Sequence, residues 1–146
     1  MHCCQCPLTS RSGSCAAAVA TVLHQKASKK IPICFDRKEE KDHGEGGALV
    51  GSVKNKKVLI IDDVLTAGTA LKNSIKLIQE SGGTISAALI ALDRQEQDEG
   101  EQVSKKLVNE LNIPIFSISN LENLVVYLET SDKSGIAKKL KASLKS

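Results

Sequence analysis

The sequence predicts an α/β domain with a mostly parallel sheet flanked by helices, and three observations carry this prediction. Apolar stretches of strand length alternate with amphipathic stretches of helix length along most of the chain. Aromatic residues make up only 2% of the 146 residues, so the core is built from Val, Ile, Leu and Ala. The stretch 57–61 is almost continuously apolar, as strands buried on both faces of a parallel sheet are.

The predicted elements follow one another with short connections. We predict helices over residues 16–25, 69–80, 103–111 and 121–128. We predict strands over residues 31–35, 48–53, 57–61, 85–92 and 113–118, of which the first two form a long hairpin, and a turn over 62–68. Gly82 and Gly83 end the second helix. Residues 135–146 have apolar side chains four apart with lysines between them, which favours an exposed basic helix that is mainly solvated.

Composition and charge restrict the class of protein. A net charge of +3 is too small to indicate a nucleic-acid-binding protein. No stretch reaches the roughly 18 apolar residues that a membrane span needs. The first 15 residues lack the pattern of a secretory signal, and an odd number of cysteines fits reduced thiols, so we expect a cytoplasmic protein. The cysteines beside His2 lack a second ligand pair, which argues against a structural zinc site.

The most informative segment follows the predicted strand 57–61. Its residues are Asp62, Asp63, Val64, Leu65, Thr66, Ala67, Gly68, Thr69 and Ala70. The strand delivers two adjacent carboxylates to the sheet edge at which open α/β folds bind ligands. Small hydroxylated residues and a glycine then let the backbone wrap around an anion at the start of a helix. The pattern predicts a site for a sugar phosphate, in which an acid accepts hydrogen bonds from the sugar hydroxyls.

Each part of this segment has a simpler interpretation when it is taken alone. An Asp-Asp pair after a strand is common, and Thr-Ala-Gly-Thr also fits a helix cap. An acidic pocket of the receiver type and a metal site are further alternatives. A P-loop is excluded, because no Gly-Lys-Ser/Thr follows the strand. The combination of strand, acid pair and turn is more specific than any of its parts.

The combined segment resembles the phosphoribosyl-diphosphate signature of type I phosphoribosyltransferases. The resemblance implies the fold of that family, with a domain over residues 16–130 between a divergent segment 1–15 and a basic tail 131–146. It also implies that Asp62 and Asp63 contact the ribose hydroxyls, directly or through water bound to Mg²⁺. Residues 66–70 would cradle the 5′-phosphate, with Val64 and Leu65 in the same binding segment. Mg²⁺ would be bound mainly through the phosphoribosyl diphosphate.

A charged loop precedes this segment, and three glycines at its end give it hinges. Its possible phosphate donors are Arg37, Lys38, Lys41 and His43. Taken alone, such a run of mixed charges is more often a solvated surface. On a mobile lid, however, cations stabilise a departing diphosphate and the closed lid excludes water. Residues 37–47 resemble the catalytic loop of orotate phosphoribosyltransferases, which implies a homodimer whose loop reaches the neighbouring subunit's site, with Lys41 as the main catalytic cation.

Arg94 follows the next predicted strand, within Ala-Leu-Asp-Arg-Gln-Glu at positions 91–96. Alone it would be an ordinary surface residue, but guanidinium binds carboxylates in a bidentate manner. The resemblance implies that Arg94 binds the carboxylate of orotate, with Thr66 as a second contact. The implied activity transfers phosphoribosyl from 5-phosphoribosyl 1-diphosphate to orotate, in pyrimidine synthesis. A purine-type phosphoribosyltransferase stays an alternative, because purine enzymes share the signature.

The chain departs from this family before residue 16. Family members have an N-terminal segment that hoods orotate, and a strand followed by a Gly-Pro-x-Tyr-Lys-Gly-Ile-Pro-Leu turn that binds diphosphate. Residues 6–15 retain only a proline and small residues, with no apolar strand before them. We therefore expect an N-terminally truncated chain whose sheet lacks one central strand and exposes apolar edges. An inactive phosphoribosyl-diphosphate-binding fragment or dimer partner is the alternative function.

Overall fold

A computed structural model of the chain describes residues 2–6, 12–36, 49–131 and 133–143. The strands are β1 (His2–Cys6), β2 (Ile33–Asp36), β3 (Leu49–Val50), β4 (Lys57–Leu65), β5 (Thr84–Asp93), β6 (Gln97–Asp98), β7 (Glu101–Gln102) and β8 (Ile115–Asn120). The helices are α1 (Ser12–Ala27), α2 (Thr69–Glu80), α3 (Val103–Leu111), α4 (Leu121–Glu129) and α5 (Ser134–Ser143).

Six of these strands form one sheet in the order β3-β2-β1-β4-β5-β8. Every neighbouring pair from β2 to β8 is parallel, and only the short edge strand β3 runs antiparallel, to β2. The predicted α/β class with a mostly parallel sheet is confirmed. The antiparallel pairing of β2 with β3 also confirms that the flanks of the charged loop form a hairpin.

The central position of the sheet is filled, and the prediction of a missing central strand is wrong. β1 lies between β2 and β4, and Gln5 is in register with Cys34 on one side and with Ile60 on the other. The stretch His-Cys-Cys-Gln-Cys has neither an apolar run nor polar alternation, so its pattern does not predict a strand. Pairing with two parallel neighbours supplies hydrogen bonds to its main chain on both sides. The expected boundary after residue 15 falls inside α1.

Helices cover the two faces of the sheet in a way that follows from the strand order. The connections β4-α2-β5 and β5-α3-β8 run toward one edge, whereas β1-α1-β2 runs toward the other. Right-handed crossovers therefore put α2 and α3 on one face and α1 on the opposite face. The main core lies under α2 and α3, and its members include Ile60, Leu71, Ile75, Ile78, Ile90 and Leu107.

Several predicted boundaries change in the structure. The predicted helices 69–80 and 103–111 are confirmed as α2 and α3. β4 continues to Leu65, so both aspartates lie in the strand and the connection to α2 is shorter than predicted. Aspartate is disfavoured in strands, and this is why the pattern placed the turn too early. A small hairpin of β6 and β7 was not predicted at all.

The end of the described chain is a helix that packs on its neighbour. Ala137 of α5 is buried between Val125 and Leu128 of α4, and Leu140 packs against the same cluster. An ion pair between Lys141 and Glu129 closes one side of this contact. The predicted basic helix is confirmed, and most of its described side chains are exposed, with Ile136 51% accessible. The spacing did not predict that Ala137 and Leu140 pack on α4.

β8 is an edge strand with an apolar surface. Phe116 and Ile118 point to the same face of β8, since side chains two residues apart do so in a strand, and they are 59% and 74% exposed. Among the described residues, no helix is both long and apolar enough to cross a membrane.

Candidate functional site

The strand order reverses at the carboxyl ends of β1 and β4, the position at which open α/β sheets have a ligand-binding crevice. The chain leaves β1 toward one edge of the sheet and leaves β4 toward the other. Open α/β sheets bind ligands where the strand order reverses in this way. The acid pair and the turn at residues 66–68 lie at the end of β4, so the sequence-predicted site coincides with this crevice.

The two aspartates at the end of β4 differ in exposure. Asp62 is 6% exposed, and its Oδ1 atom accepts a hydrogen bond from the Asp63 N–H at 2.9 Å. Asp63 is half-buried, and its Oδ1 atom accepts from the Val64 N–H at 3.0 Å. Each carboxylate thereby fixes the main chain of the residue that follows it. A carboxylate can accept about four hydrogen bonds, so the half-buried Asp63 retains capacity for a ligand hydroxyl.

The turn between β4 and α2 depends on Gly68. This residue has φ 78° and caps α2, and its carbonyl accepts the first helical hydrogen bond, from the Lys72 N–H at 2.9 Å. A Cβ atom at this position would lie 2.6 Å from Cδ1 of Leu107 in α3. Glycine is therefore required both for the backbone conformation and for the approach of α3.

The start of α2 has the properties of an anion site. First-turn N–H groups have no acceptor inside a helix, and Gly68, the capping residue of α2, has no side chain to accept from them. The positive end of the helix dipole lies at the same point. Thr66 is half-buried, whereas Ala67, Thr69 and Ala70 are exposed. Leu65 is 2% exposed and belongs to the core, so only its main chain can take part in the site.

Arg94 lies beside this turn because β5 ends next to β4. Leu65 and Asp93 are the last register pair of the two strands, and the Arg94 N–H donates to the Leu65 carbonyl oxygen at 3.1 Å. The guanidinium Nη2 atom lies 3.3 Å from Oε1 of Glu96, and both side chains are substantially exposed. The structure thus brings Arg94 and the predicted phosphate cradle to one edge of the sheet.

A small hydrogen-bond network behind Arg94 has no counterpart in the sequence prediction. Asp93 is 8% exposed, and its Oδ1 atom accepts from the Gln95 N–H at 2.8 Å. The Gln95 side chain donates from Nε2 to Oε2 of Glu122 at 3.3 Å and accepts at Oε1 from the Glu122 N–H at 2.9 Å. Periodicity gives no sign of this contact, because it joins a loop to the first turn of a distant helix.

The remaining predicted site residues lie outside the described part of the chain. These are Arg37, Lys38, Lys41 and His43, the cations of the charged loop. Within the described ranges, no cluster of three or more His, Cys, Asp or Glu side chains could hold a metal ion by itself.

An open groove of about 610 Å³ lies elsewhere on the molecule. It is formed by the second half of α1 and the segment that leads into β2, and it is lined by Ala20, Thr21, His24, Lys30, Ile31 and Pro32. These residues are at the amino ends of the parallel strands, opposite to the crevice. The groove is therefore separate from the candidate site.

Comparison with known proteins gives a consistent family. A family model for the phosphoribosyl transferase domain matches residues 7–121. The orotate phosphoribosyltransferase of Acinetobacter baumannii is 46% identical over 124 residues, which are 83% of this chain and 57% of that protein. The corresponding protein of Salmonella newport is 43% identical over 128 residues, 87% of this chain and 59% of that protein. The chain thus spans less than two thirds of the length of these relatives.

Solved structures show the same likeness. The crystal structure of an orotate phosphoribosyltransferase from Francisella tularensis superposes with a TM-score of 0.75 at 30% identity, covering 97% of this chain and 66% of that one. A Leishmania donovani UMP synthase structure superposes with a TM-score of 0.76 over 97% of this chain and 29% of that one. At 20% identity the second likeness concerns the fold alone.

Proposed function

Because the chain belongs to the phosphoribosyl transferase family, we propose that it carries the phosphoribosyl-diphosphate and orotate sites of an orotate phosphoribosyltransferase. The reaction transfers the phosphoribosyl group of 5-phosphoribosyl 1-diphosphate to orotate, giving orotidine 5′-phosphate and diphosphate, in de novo UMP synthesis. The single observation that carries this proposal is the hydrogen bond of 3.1 Å from the Arg94 N–H to the Leu65 carbonyl oxygen. It supports the proposal, because Arg94, the proposed carboxylate ligand, is bonded to the residue that precedes the proposed anion-binding turn.

The sugar phosphate occupies the end of β4 in this proposal. Asp62 and Asp63 accept hydrogen bonds from the ribose hydroxyls, for which carboxylates are strong acceptors. The main chain of residues 66–70 donates to the 5′-phosphate, and the N-terminus of α2 adds its dipole. The φ of 78° at Gly68 supports this assignment, because it forms the tight turn from which the main chain enters α2.

Orotate occupies the side of the crevice next to β5. Its carboxylate pairs with the guanidinium of Arg94, whose planar fork matches two carboxylate oxygens. The Thr66 hydroxyl is the second contact to orotate. The half-exposed state of Arg94 supports this, because among the described residues its ion pair is the weak surface one with Glu96, which orotate would replace.

The cations of the charged loop complete the site. Arg37, Lys38, Lys41 and His43 stabilise the negative charge that develops on the leaving diphosphate, with Lys41 as the main catalytic cation. Closure of the loop excludes water from the oxocarbenium-like centre. No covalent nucleophile is needed. The proposal extends to a homodimer with the loop shared across the interface and to a cytoplasmic location, as the family resemblance implies.

Mg²⁺ fits this set of donors as a companion of the substrate. It is commonly held by one or two carboxylates, several waters and substrate phosphates, and the acid pair supplies carboxylates at the crevice. When bound, the ion neutralises charge on the diphosphate. Asp62 and Asp63 contact the ribose hydroxyls of the substrate, directly or through water molecules bound to Mg²⁺.

A spectrophotometric assay of orotate consumption tests the proposal. The protein is mixed with 5-phosphoribosyl 1-diphosphate, orotate and Mg²⁺, and Lys41→Ala and Asp62→Asn variants serve as inactivated controls. We expect turnover that both substitutions reduce by at least about tenfold. Absence of turnover at high protein concentration, with no orotate binding by calorimetry, would contradict the proposal. If hypoxanthine or adenine outcompetes orotate, the site belongs to a purine-type enzyme.

A second function is supported by the residues after β1. Residues 7–11 read Pro-Leu-Thr-Ser-Arg and lack the Tyr-Lys-Gly element that binds diphosphate in the resembled family. The alternative is therefore a non-catalytic phosphoribosyl-diphosphate binder or a dimer partner that lends its loop. Calorimetric binding of 5-phosphoribosyl 1-diphosphate without turnover supports this alternative. Activity that arises only on mixing with a complete orotate phosphoribosyltransferase subunit also supports it.

A further inference from the structure

We propose that Gln95 is a positioning residue. Its two hydrogen bonds to Glu122, called the tie below, fix the loop after β5 to the first turn of α4 and so orient the Arg94 side chain toward orotate. The inference rests on the proposed function, because it is there that Arg94 binds orotate. It adds two residues, Gln95 and Glu122, that touch neither substrate.

The tie is formed by both polar atoms of one side chain. Gln95 Oε1 accepts from the main-chain N–H of Glu122 at 2.9 Å, and Gln95 Nε2 donates to Glu122 Oε2 at 3.3 Å. The first contact fills one of the N–H groups that the start of α4 cannot satisfy internally. The second uses a charged acceptor, which strengthens a hydrogen bond. An amide at position 95 satisfies a donor and an acceptor at once, which no other uncharged side chain of this length does.

The backbone at Gln95 is held in an unusual conformation. Its φ is 54°, in the left-handed region that non-glycine residues seldom adopt. The Asp93 carboxylate accepts the Gln95 N–H at 2.8 Å and so fixes the main chain on the side of β5. The turn directs the Gln95 side chain to α4, while the main chain of Arg94 stays at the end of β4.

Arg94 depends on this arrangement because little else fixes its direction. Its main chain is attached to Leu65 on one side and continues into Gln95 on the other. Its side chain is 52% exposed, and within the part of the chain that the structure describes its guanidinium pairs with Glu96, at 3.3 Å. A long side chain that is half in solvent samples many rotamers, so its mean direction follows its main chain.

The far side of the loop is anchored separately, and the tie to Glu122 is the contact that links the segment next to Arg94 to α4. The Val103 N–H donates to the Glu96 carbonyl oxygen at 2.9 Å. Lys106 lies 2.7 Å from carboxylate oxygens of both Asp98 and Glu99, and its hydrogen bond is the main reason why the pKa of Asp98 lies below its ordinary value. Substitution at Gln95 therefore leaves the β6–β7 hairpin in place.

A reciprocal exchange of amide and carboxylate tests the tie. In Gln95→Glu the donor to Glu122 Oε2 is gone, and repulsion between the two carboxylates weakens the remaining contact to the Glu122 N–H. In Gln95→Glu combined with Glu122→Gln, the new carboxylate at position 95 accepts from both the N–H and the amide at position 122. Glu122→Gln alone is the matched control, because an amide at 122 still accepts from Gln95 Nε2. We expect the side-chain contact to be lost and the contact to the Glu122 N–H to weaken in the first variant, and both to return in the double variant.

The readout is the Michaelis constant for each substrate. For Gln95→Glu we expect KM for orotate to rise roughly three- to tenfold, the size of one lost hydrogen bond, with kcat and KM for 5-phosphoribosyl 1-diphosphate within about twofold of wild type. The double variant and Glu122→Gln should lie within about twofold of wild type for all three constants. A purely structural role would instead change kcat and both KM values together.

Amide hydrogen exchange separates this inference from the proposed function. At 15.6 kDa the protein suits residue-resolved exchange, and the Glu122 amide should lose protection in Gln95→Glu and regain it in the double variant. If this pattern holds but the wild type neither binds nor consumes orotate, the proposed function fails and the aiming of Arg94 fails with it. If the wild type is active and KM for orotate is unchanged in Gln95→Glu, or the double variant is as impaired as the single one, only the role of Gln95 is overturned.

Discussion

Arg94 donates its main-chain N–H to the carbonyl oxygen of Leu65 at 3.1 Å, so the ends of β5 and β4 are joined one residue beyond their last register pair. Leu65 is the residue immediately before the phosphate turn, and Arg94 is the proposed carboxylate ligand. The two halves of the crevice therefore share one rigid support, and a shift at either strand end moves both.

Replacement of Gly68 by alanine should remove the anion site. The substitution strains a φ of 78° and puts a Cβ atom 2.6 Å from Cδ1 of Leu107, so we expect the free energy of unfolding to fall by about 2–4 kcal/mol. Affinity for 5-phosphoribosyl 1-diphosphate should fall as well. Urea unfolding and titration calorimetry measure the two effects.

Gly100→Ala is the matched control for Gly68→Ala. Gly100 has φ 85°, but a Cβ atom there would have nothing within 4 Å. We expect it to cost only about 1 kcal/mol, the conformational part alone. Equal losses in the two variants would show that the approach of Leu107 contributes nothing.

Glu96→Gln should tighten orotate binding. In the ligand-free protein Glu96 pairs with the Arg94 guanidinium at 3.3 Å and so competes with the orotate carboxylate. Exposed pairs of this kind contribute about 0.2–1 kcal/mol, so we expect KM for orotate to fall by at most about fivefold. Steady-state kinetics at low and high salt measure this, and the difference should shrink as salt screens the pair. A rise in KM would mean that Glu96 helps orotate binding.

Ala137→Asp should destabilise the protein, because it buries a charge between α5 and α4. Ala137 is fully buried against Val125 and Leu128. We expect a loss of about 2–4 kcal/mol in the free energy of unfolding, measured by denaturant titration. Ala142→Asp makes the same change at an exposed position of α5 and should cost less than about 1 kcal/mol. Similar losses would contradict the packing of α5 on α4.

Phe116→Lys combined with Ile118→Lys should reduce self-association. The two side chains make an apolar surface on the edge strand β8. Exposed apolar edge strands tend to associate with another chain. We expect a higher soluble concentration and a smaller apparent mass in light scattering. Val22→Lys, at an exposed position of α1 that is 45% accessible, is the control and should have little effect. An unchanged apparent mass would exclude β8 as the associating surface.

The sequence predicted those features that depend on local pattern. The apolar run before Asp62 and the glycine at position 68 identified a strand, a turn and a helix start, and the structure has all three in that order. The position of Arg94 at the same sheet edge as Asp62 followed less directly, from the rule that parallel strands end at one edge.

The features that were missed depend on contacts distant in sequence. β1 has no pattern of its own and becomes a strand because β2 and β4 offer pairing on both sides. Gln95 and Glu122 meet only after β8 has placed α4 beside the loop. To predict that α5 packs on α4, one would have to know that Val125 and Leu128 of α4 are available to contact Ala137. Composition and periodicity carry no information on such partners.

The central place of β1 also has a consequence for the order in which the chain assembles. β1 precedes both of its neighbours, so neither of its two parallel ladders can close until β2 and then β4 have been synthesised. Parallel pairing across long stretches of chain is intrinsically slow, and during that interval the flank of β4 is an open edge. The nascent protein is therefore most vulnerable to aggregation after β4 emerges and before β1 inserts beside it.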